Sequence, residues 1–182
     1  MKTLSKSQKY FLGLVWIIVG SLGRLIPHPA NFTPTTALGL FAGSKLPRWF
    51  GLISLIILLL LSDLGIAYLQ HIPVFGPWTW FSYTGFIAIY FLGRNLEIHS
   101  RFNQIFSITL ISSIGYWLWT NLGVWLTTTM YPQSITGLLN CYIAAIPFLR
   151  NALLGDLLWV GIIFGSFSWL PKLKQSLGSI KL

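Results

Sequence analysis

Charged residues are scarce in this sequence, and acidic residues are the scarcest of them. Only 8% of the 182 residues are charged and only three are acidic, whereas water-soluble domains contain roughly 25% charged residues. A chain with so few charges cannot cover a folded domain with polar surface. The composition therefore predicts an integral membrane protein, embedded in the lipid bilayer as a single domain over residues 1–182.

Cysteine is nearly absent as well. Cys141 is the single cysteine, which excludes an intrachain disulfide framework. Three interpretations of Cys141 stay open at this stage: a buried small residue, a soft ligand to a metal or cobalt centre, and a redox thiol.

Several catalytic motifs are also missing. The sequence contains no HExxH zinc motif and no phosphate-binding loop, so this chain does not hydrolyse ATP by the usual route. His28 and His71 both fall in predicted outer connections, which leaves a metal site between them conceivable. We predict a protein that is not an enzyme and that has no cofactor.

Long apolar runs are what the sequence has in abundance. A membrane-spanning helix needs about 20 mostly apolar residues. We predict an all-α, polytopic helix bundle with about six spans, at residues 10–26, 35–46, 49–69, 78–93, 104–126 and 150–170. Because Pro147 lacks the N–H that would continue a helix, we expect a separate short or re-entrant helix over residues 139–147.

The basic residues predict an orientation for these spans. The net charge is +9, but the cations form small clusters between apolar runs rather than one phosphate-binding face, so no nucleic-acid partner is expected. Ten of the twelve basic residues fall in the even-numbered connections and the two termini. By the positive-inside rule, we predict a multi-pass protein of the inner (cytoplasmic) membrane with both termini in the cytoplasm.

Four charged residues are left once those ten cations and Glu97, in a cytoplasmic connection, are set aside. All four fall in the predicted outer halves of the spans: Arg24, Asp63, Arg150 and Asp156. A charge within the membrane costs several kcal/mol unless it is paired or hydrated, so such residues mark functional sites. Other polar candidates occur at the same depth or in the outer connections: His28, Asn31, Asn121 and Asn140.

These eight residues predict a polar, outward-facing pocket that binds a small molecule. An arginine in it could hold a carboxylate or phosphate through a bidentate pair, and Tyr116, Trp117 and Trp119 could stack on a flat ring. The connection at residues 127–137 could cover the pocket. The structural alternative is that two Arg–Asp pairs and the aromatic side chains only hold the helices together.

The pattern Gly39-x-x-x-Gly43 allows close approach of two helices. From the sequence alone, this approach serves either packing within the chain or docking of another subunit.

Two stretches carry a resemblance to a known family. RLIPHPANFTPTTALGLFAG at residues 24–43 and YPQSITGLLNCYIAAIPFLRNALLGD at residues 131–156 resemble a family of small six-helix bacterial membrane proteins described as candidate transport proteins. That resemblance spans nearly the whole chain and brings no functional residues with it.

The architecture is similar, more loosely, to the S-components of energy-coupling factor vitamin transporters. This similarity implies a vitamin-like substrate and a membrane coupling subunit with ATPases. Solitary cobalamin-binding relatives use a cysteine as cobalt ligand, which implies the same test for Cys141. The small-residue coupling motif of those proteins is not recognisable on the first helix here.

We therefore expect the substrate-binding component of an uptake system for a small organic micronutrient. Two alternatives remain: a non-transporting membrane scaffold or assembly subunit, and an intramembrane enzyme that modifies a lipid. The scaffold alternative predicts no cavity and four fully paired charges.

Overall fold

All regular elements in the part of the chain that the structure describes are α-helices. The computed structural model describes residues 6–96 and 101–178, so Lys2, Glu97 and Lys181 lie outside it. The helices are α1 (Lys6–Leu25), α2 (Thr35–Lys45), α3 (Arg48–Gln70), α4 (Pro77–Gly93), α5 (Phe102–Thr127) and α6 (Ile135–Gly178). The first five begin and end within four residues of the predicted boundaries, and the all-helical class is confirmed.

Proline and glycine mark the helix ends that the sequence made visible. Pro77 is the first residue of α4, where a missing N–H costs nothing, and the Thr79 hydroxyl accepts the Gly76 N–H at 2.9 Å. At the end of α3, His71 adopts a left-handed conformation with φ 53°. Such local signals explain why the boundaries were predictable.

The structure corrects one predicted boundary, because α6 continues through Pro147. It extends over 44 residues as one helix, so the separate helix at 139–147 and the start of the last span at 150 are wrong. Hydrogen bonds to α5 hold the turns before the proline: the Trp117 indole donates to the Ala145 carbonyl at 3.0 Å, and the Tyr142 hydroxyl donates to the Leu118 carbonyl at 2.9 Å. This attachment outweighs the single N–H that proline removes.

The centre of the bundle is α2. All of its residues from 35 to 43 are buried, and it contacts each of the other five helices. Around it, α1 packs on α3, α3 on α4, α4 on α5 and α5 on α6, while α1 and α6 do not touch within the described residues. Every other helix is therefore positioned against this short one.

The small-residue pattern on α2 serves packing within the chain. A Cβ atom at Gly43 would collide with the Tyr90 carbonyl oxygen of α4, and one at Gly93 would collide with the backbone of Leu40. Gly39 faces Ile89, also on α4. These glycines let the backbones of α2 and α4 come together, which settles the alternative that the sequence left open.

Two described helices are long and apolar enough to cross a membrane, Arg48–Gln70 and Ile135–Ser166, and Gly13–Leu25 is a shorter apolar helix. The exposed surface of the bundle is itself rich in large apolar side chains, including Phe11, Ile18, Leu61, Ile111, Leu118, Ile143, Leu158 and Ile162. These findings indicate membrane association. Six spans and their orientation remain predictions.

Candidate binding cavity

A polar cavity of about 250 Å³ lies at the end of the bundle where α2 begins. Five helices and the connection between α1 and α2 contribute its walls. The lining residues are Arg24, Asn31, Thr33, Thr35, Thr36, Ser82, Phe86, Ser113, Tyr116, Trp117, Thr120, Ala152 and Asp156. Three of the eight residues predicted to form a pocket are among them, Arg24, Asn31 and Asp156, and the outward orientation of the cavity remains a prediction.

The connection after α1 is folded into a wall rather than a free loop. Asn31 has φ 64°, a left-handed conformation that asparagine tolerates better than most residues. It lies in a turn closed by the Phe32 N–H, which donates to the Pro29 carbonyl at 3.0 Å. Phe32 in turn lies against α6, where a Cβ atom at Gly155 would be 3.0 Å from the Phe32 Cα. These contacts fix Asn31 at the cavity.

Arg24 is already paired. Its guanidinium lies 2.9 Å from the Asp63 carboxylate, with both side chains less than a fifth exposed, and it also donates to the Ser62 hydroxyl. That hydroxyl donates to the Leu58 carbonyl at 2.8 Å. Asp63 is thus brought next to the cavity through Arg24, although it is not one of the lining residues.

Asp156 is the most buried charged residue of the cavity. It is only 3% exposed, and the Ser113 hydroxyl donates to its carboxylate at 2.6 Å. The Thr36 hydroxyl is a second polar neighbour, which places the carboxylate at the N-terminal end of α2, where a helix favours negative charge. Within the described residues Asp156 has no cationic partner.

Aromatic rings form the apolar part of the lining. The rings of Phe86 and Tyr116 are tilted against each other with centroids 4.4 Å apart. Trp117 lines the cavity too, but its indole N–H is taken by Ala145. Of the three aromatics singled out in the sequence, Trp119 lies instead in a second, apolar cavity of about 350 Å³ between α4 and α5.

Five of the eight predicted site residues do not line the cavity. One is Asp63, which lies beside the cavity through its pair with Arg24. The Asn121 side chain donates to the Trp117 carbonyl of its own helix at 2.8 Å. His28, Asn140 and Arg150 are exposed. Of the two Arg–Asp pairs in the structural alternative, only Arg24–Asp63 forms among the described residues. Arg150 and Asp156 are six residues apart on α6, which separates them by about 120° around its axis.

Cys141 is buried on α6, with its Sγ 3.5 Å from the Asn121 carbonyl oxygen. No group of three or more His, Cys, Asp or Glu side chains that could hold a metal ion occurs in residues 6–96 and 101–178.

The connection at 127–137 does not cover the cavity, since none of its residues lines it. It is held to the end of α5, where the Trp125 indole donates to the Pro132 carbonyl at 2.9 Å.

None of the serine and threonine hydroxyl groups that line the cavity was among the residues predicted from the sequence. Six of the lining residues are serine or threonine, on three helices and one connection: Thr33, Thr35, Thr36, Ser82, Ser113 and Thr120. Hydroxyl residues are common in membrane helices, where they satisfy their own helix carbonyls, so each one alone gives no signal. Their concentration at one depth on several helices was the signal available.

Comparison with known proteins gives a family but no activity. A family model described as "Family of unknown function (DUF6580)" matches residues 4–177. No curated protein and no solved structure shows significant similarity to the chain. The match carries nothing on transport or on an S-component relationship.

Proposed function

The chain belongs to the DUF6580 family, and from the geometry of its polar cavity we propose that it is a membrane protein that binds a small organic molecule. The observation that carries the proposal is the cavity itself. It is far larger than the roughly 10–15 Å³ that a single water needs, and it combines aromatic faces with a few convergent polar groups. Binding sites for small molecules are typically built this way.

The proposed setting is a bilayer crossed by several helices of the bundle. A soluble protein rarely exposes large contiguous apolar surface, whereas α1, α3, α5 and α6 all do so here. The distribution of basic residues then directs the cavity away from the cytoplasm. A site open to the outside and closed below suits capture of a nutrient for uptake.

The proposed role is therefore the substrate-binding component of an uptake system. Since the sequence has no phosphate-binding loop, energy would come from an ion gradient or from a membrane coupling subunit with ATPases. A scaffold would need neither the cavity nor a buried carboxylate without a counter-ion, so both observations favour binding over the scaffold alternative.

The test is native mass spectrometry of the protein purified from its own cells. The wild type is expected to carry a small molecule. Ala152 lines the cavity, so Ala152→Phe should place a ring in it and remove that molecule. Leu154 is on the same helix but 55% exposed, so Leu154→Phe serves as the matched control and should keep it. Loss from neither variant, or no bound molecule in the wild type, would contradict the proposal.

A further inference from the structure

The charges around the cavity do not balance within the described residues. One basic residue, Arg24, and two acidic residues, Asp63 and Asp156, lie in or beside the cavity. Arg24 and Asp63 neutralise each other at 2.9 Å. The second carboxyl group, that of Asp156, is left without a counter-ion among these residues.

The groups around Asp156 can stabilise a carboxylate, but they do not include a cation. Its neighbours are hydroxyl groups, from Ser113 at 2.6 Å and from Thr36, and the start of α2 adds partial positive charge. These groups stabilise a carboxylate only in part, and burying one without a cation is costly. A membrane-embedded acidic group of this kind marks a functional site.

Arg24, in contrast, is not available as an anion clamp. Two of its interactions are already made, with Asp63 and with Ser62, and a ligand carboxylate would have to displace Asp63 from it. The expectation that an arginine holds an anionic ligand group is therefore not favoured by the geometry.

The aromatic lining favours positive charge as well. Phe86, Tyr116 and Trp117 line the same cavity as Asp156, and aromatic faces attract cations that are shielded from water. Trp117 offers its ring rather than its N–H, since that N–H is bonded to Ala145. A carboxyl group and aromatic side chains in one cavity suit a cationic group attached to an apolar body.

We propose, resting on the binding function proposed above, that the ligand is a small organic monocation. Its positive group, an amine, guanidine or cationic heterocycle, lies against Asp156. Its apolar part lies against Phe86 and Tyr116. The positive charge of the ligand is the counter-ion that Asp156 lacks, and it stabilises the ionised form of that carboxyl group.

Three probes of nearly equal shape and different charge test this proposal: benzylammonium, benzyl alcohol and benzoate. Their binding to the full-length protein in detergent micelles is measured by saturation-transfer NMR, with Ala152→Phe as the blocked reference. Benzylammonium should bind at least about tenfold tighter than benzyl alcohol, as expected for a hydrogen bond to a charged group, and benzoate should bind weakest.

Two variants assign the preference to individual residues. Asp156→Asn keeps the shape of the side chain and should remove the preference for benzylammonium. Asp63→Asn frees the Arg24 guanidinium and should strengthen benzoate binding. The melting temperature of each variant shows whether it is folded.

The outcomes separate this inference from the function on which it rests. If benzoate or benzyl alcohol binds as tightly as benzylammonium, or if Asp156→Asn keeps the cation preference, the monocation proposal is wrong and the binding function stands. If no probe binds the wild type better than Ala152→Phe, the monocation proposal fails, and the native mass spectrum alone decides the binding function.

Discussion

At the scale of single residues, Arg24 and Arg150 look alike in the sequence and differ entirely in the structure. Both are arginines near the predicted outer end of a span. Arg24 is part-buried and paired with Asp63, whereas Arg150 is exposed on α6. Partner and burial, rather than residue type, decide which of the two contributes to the cavity.

The Arg24–Asp63 pair should show measurable coupling. Arg24→Gln and Asp63→Asn each leave one charge without its partner. We expect each to lower the free energy of unfolding by about 1–3 kcal/mol, less than the roughly 3–5 kcal/mol of a fully buried pair because water screens the site. The double variant should recover part of that loss, as measured by chemical unfolding in detergent.

The matched control for this pair is Arg150→Gln. Arg150 is exposed and makes no ion pair among the described residues, so its loss should change the free energy of unfolding by less than about 0.5 kcal/mol. Strictly additive effects of Arg24→Gln and Asp63→Asn would contradict a direct interaction between the two side chains.

At the scale of single helices, α2 is exceptional because it is buried on all sides. Its 11 residues extend about 16 Å at 1.5 Å per residue, about half of the roughly 30 Å hydrocarbon core. Small and apolar residues surround its axis without a polar face, as expected of a helix covered by other helices. Its N-terminal end can therefore lie inside the protein and form the floor of the cavity.

The contact between α2 and α4 should be sensitive to a single methyl group. Gly43→Ala places a Cβ atom against the Tyr90 carbonyl and the backbone of Gly93, which cannot move without shifting a helix. We expect this change to lower the free energy of unfolding by about 1–3 kcal/mol, the range for overpacking, and to lower the melting temperature accordingly.

Gly115→Ala is the comparison within another helix of the bundle. A Cβ atom at Gly115 meets no atom within 4 Å, and alanine is the better helix former. This variant should melt at the wild-type temperature or slightly above it. Equal effects of Gly43→Ala and Gly115→Ala on the melting temperature would contradict the close packing of Gly43 against α4.

At the scale of the whole molecule, the asymmetry of charge should fix the topology. Ten of the twelve basic residues fall on one side of the predicted bundle, and cations of this kind stay in the cytoplasm. Fluorescent protein fused to the C-terminus should be bright, and alkaline phosphatase fused there should be inactive. Phosphatase fused after residue 73, between α3 and α4, should be active. The opposite pattern would place the cavity on the cytoplasmic side of the membrane and contradict a role in uptake.

The length of α6 is a second property that concerns the whole molecule. Its 44 residues extend about 66 Å at 1.5 Å per residue, about twice the hydrocarbon thickness. The helix is therefore longer than one membrane crossing needs, in contrast to the 21-residue last span, residues 150–170, that the sequence predicted.

By itself, the sequence determined the first five helices, because apolar runs and the prolines and glycines between them act locally. It also restricted the charged candidates to four, because scarcity makes each one visible. Only the tertiary structure decided which polar groups meet. Arg24, Asn31 and Asp156 line the cavity, while Asn140 and Arg150 are turned outward.

The sequence does not reveal which polar groups meet, because it does not fix the rotation of each helix about its own axis. The depth of a residue in a membrane follows from its position along the chain. The direction in which its side chain points depends on the rotation of the helix about its axis, and packing sets that rotation. The continuation of α6 through Pro147 was decided in the same way, by hydrogen bonds to α5 from residues distant in sequence.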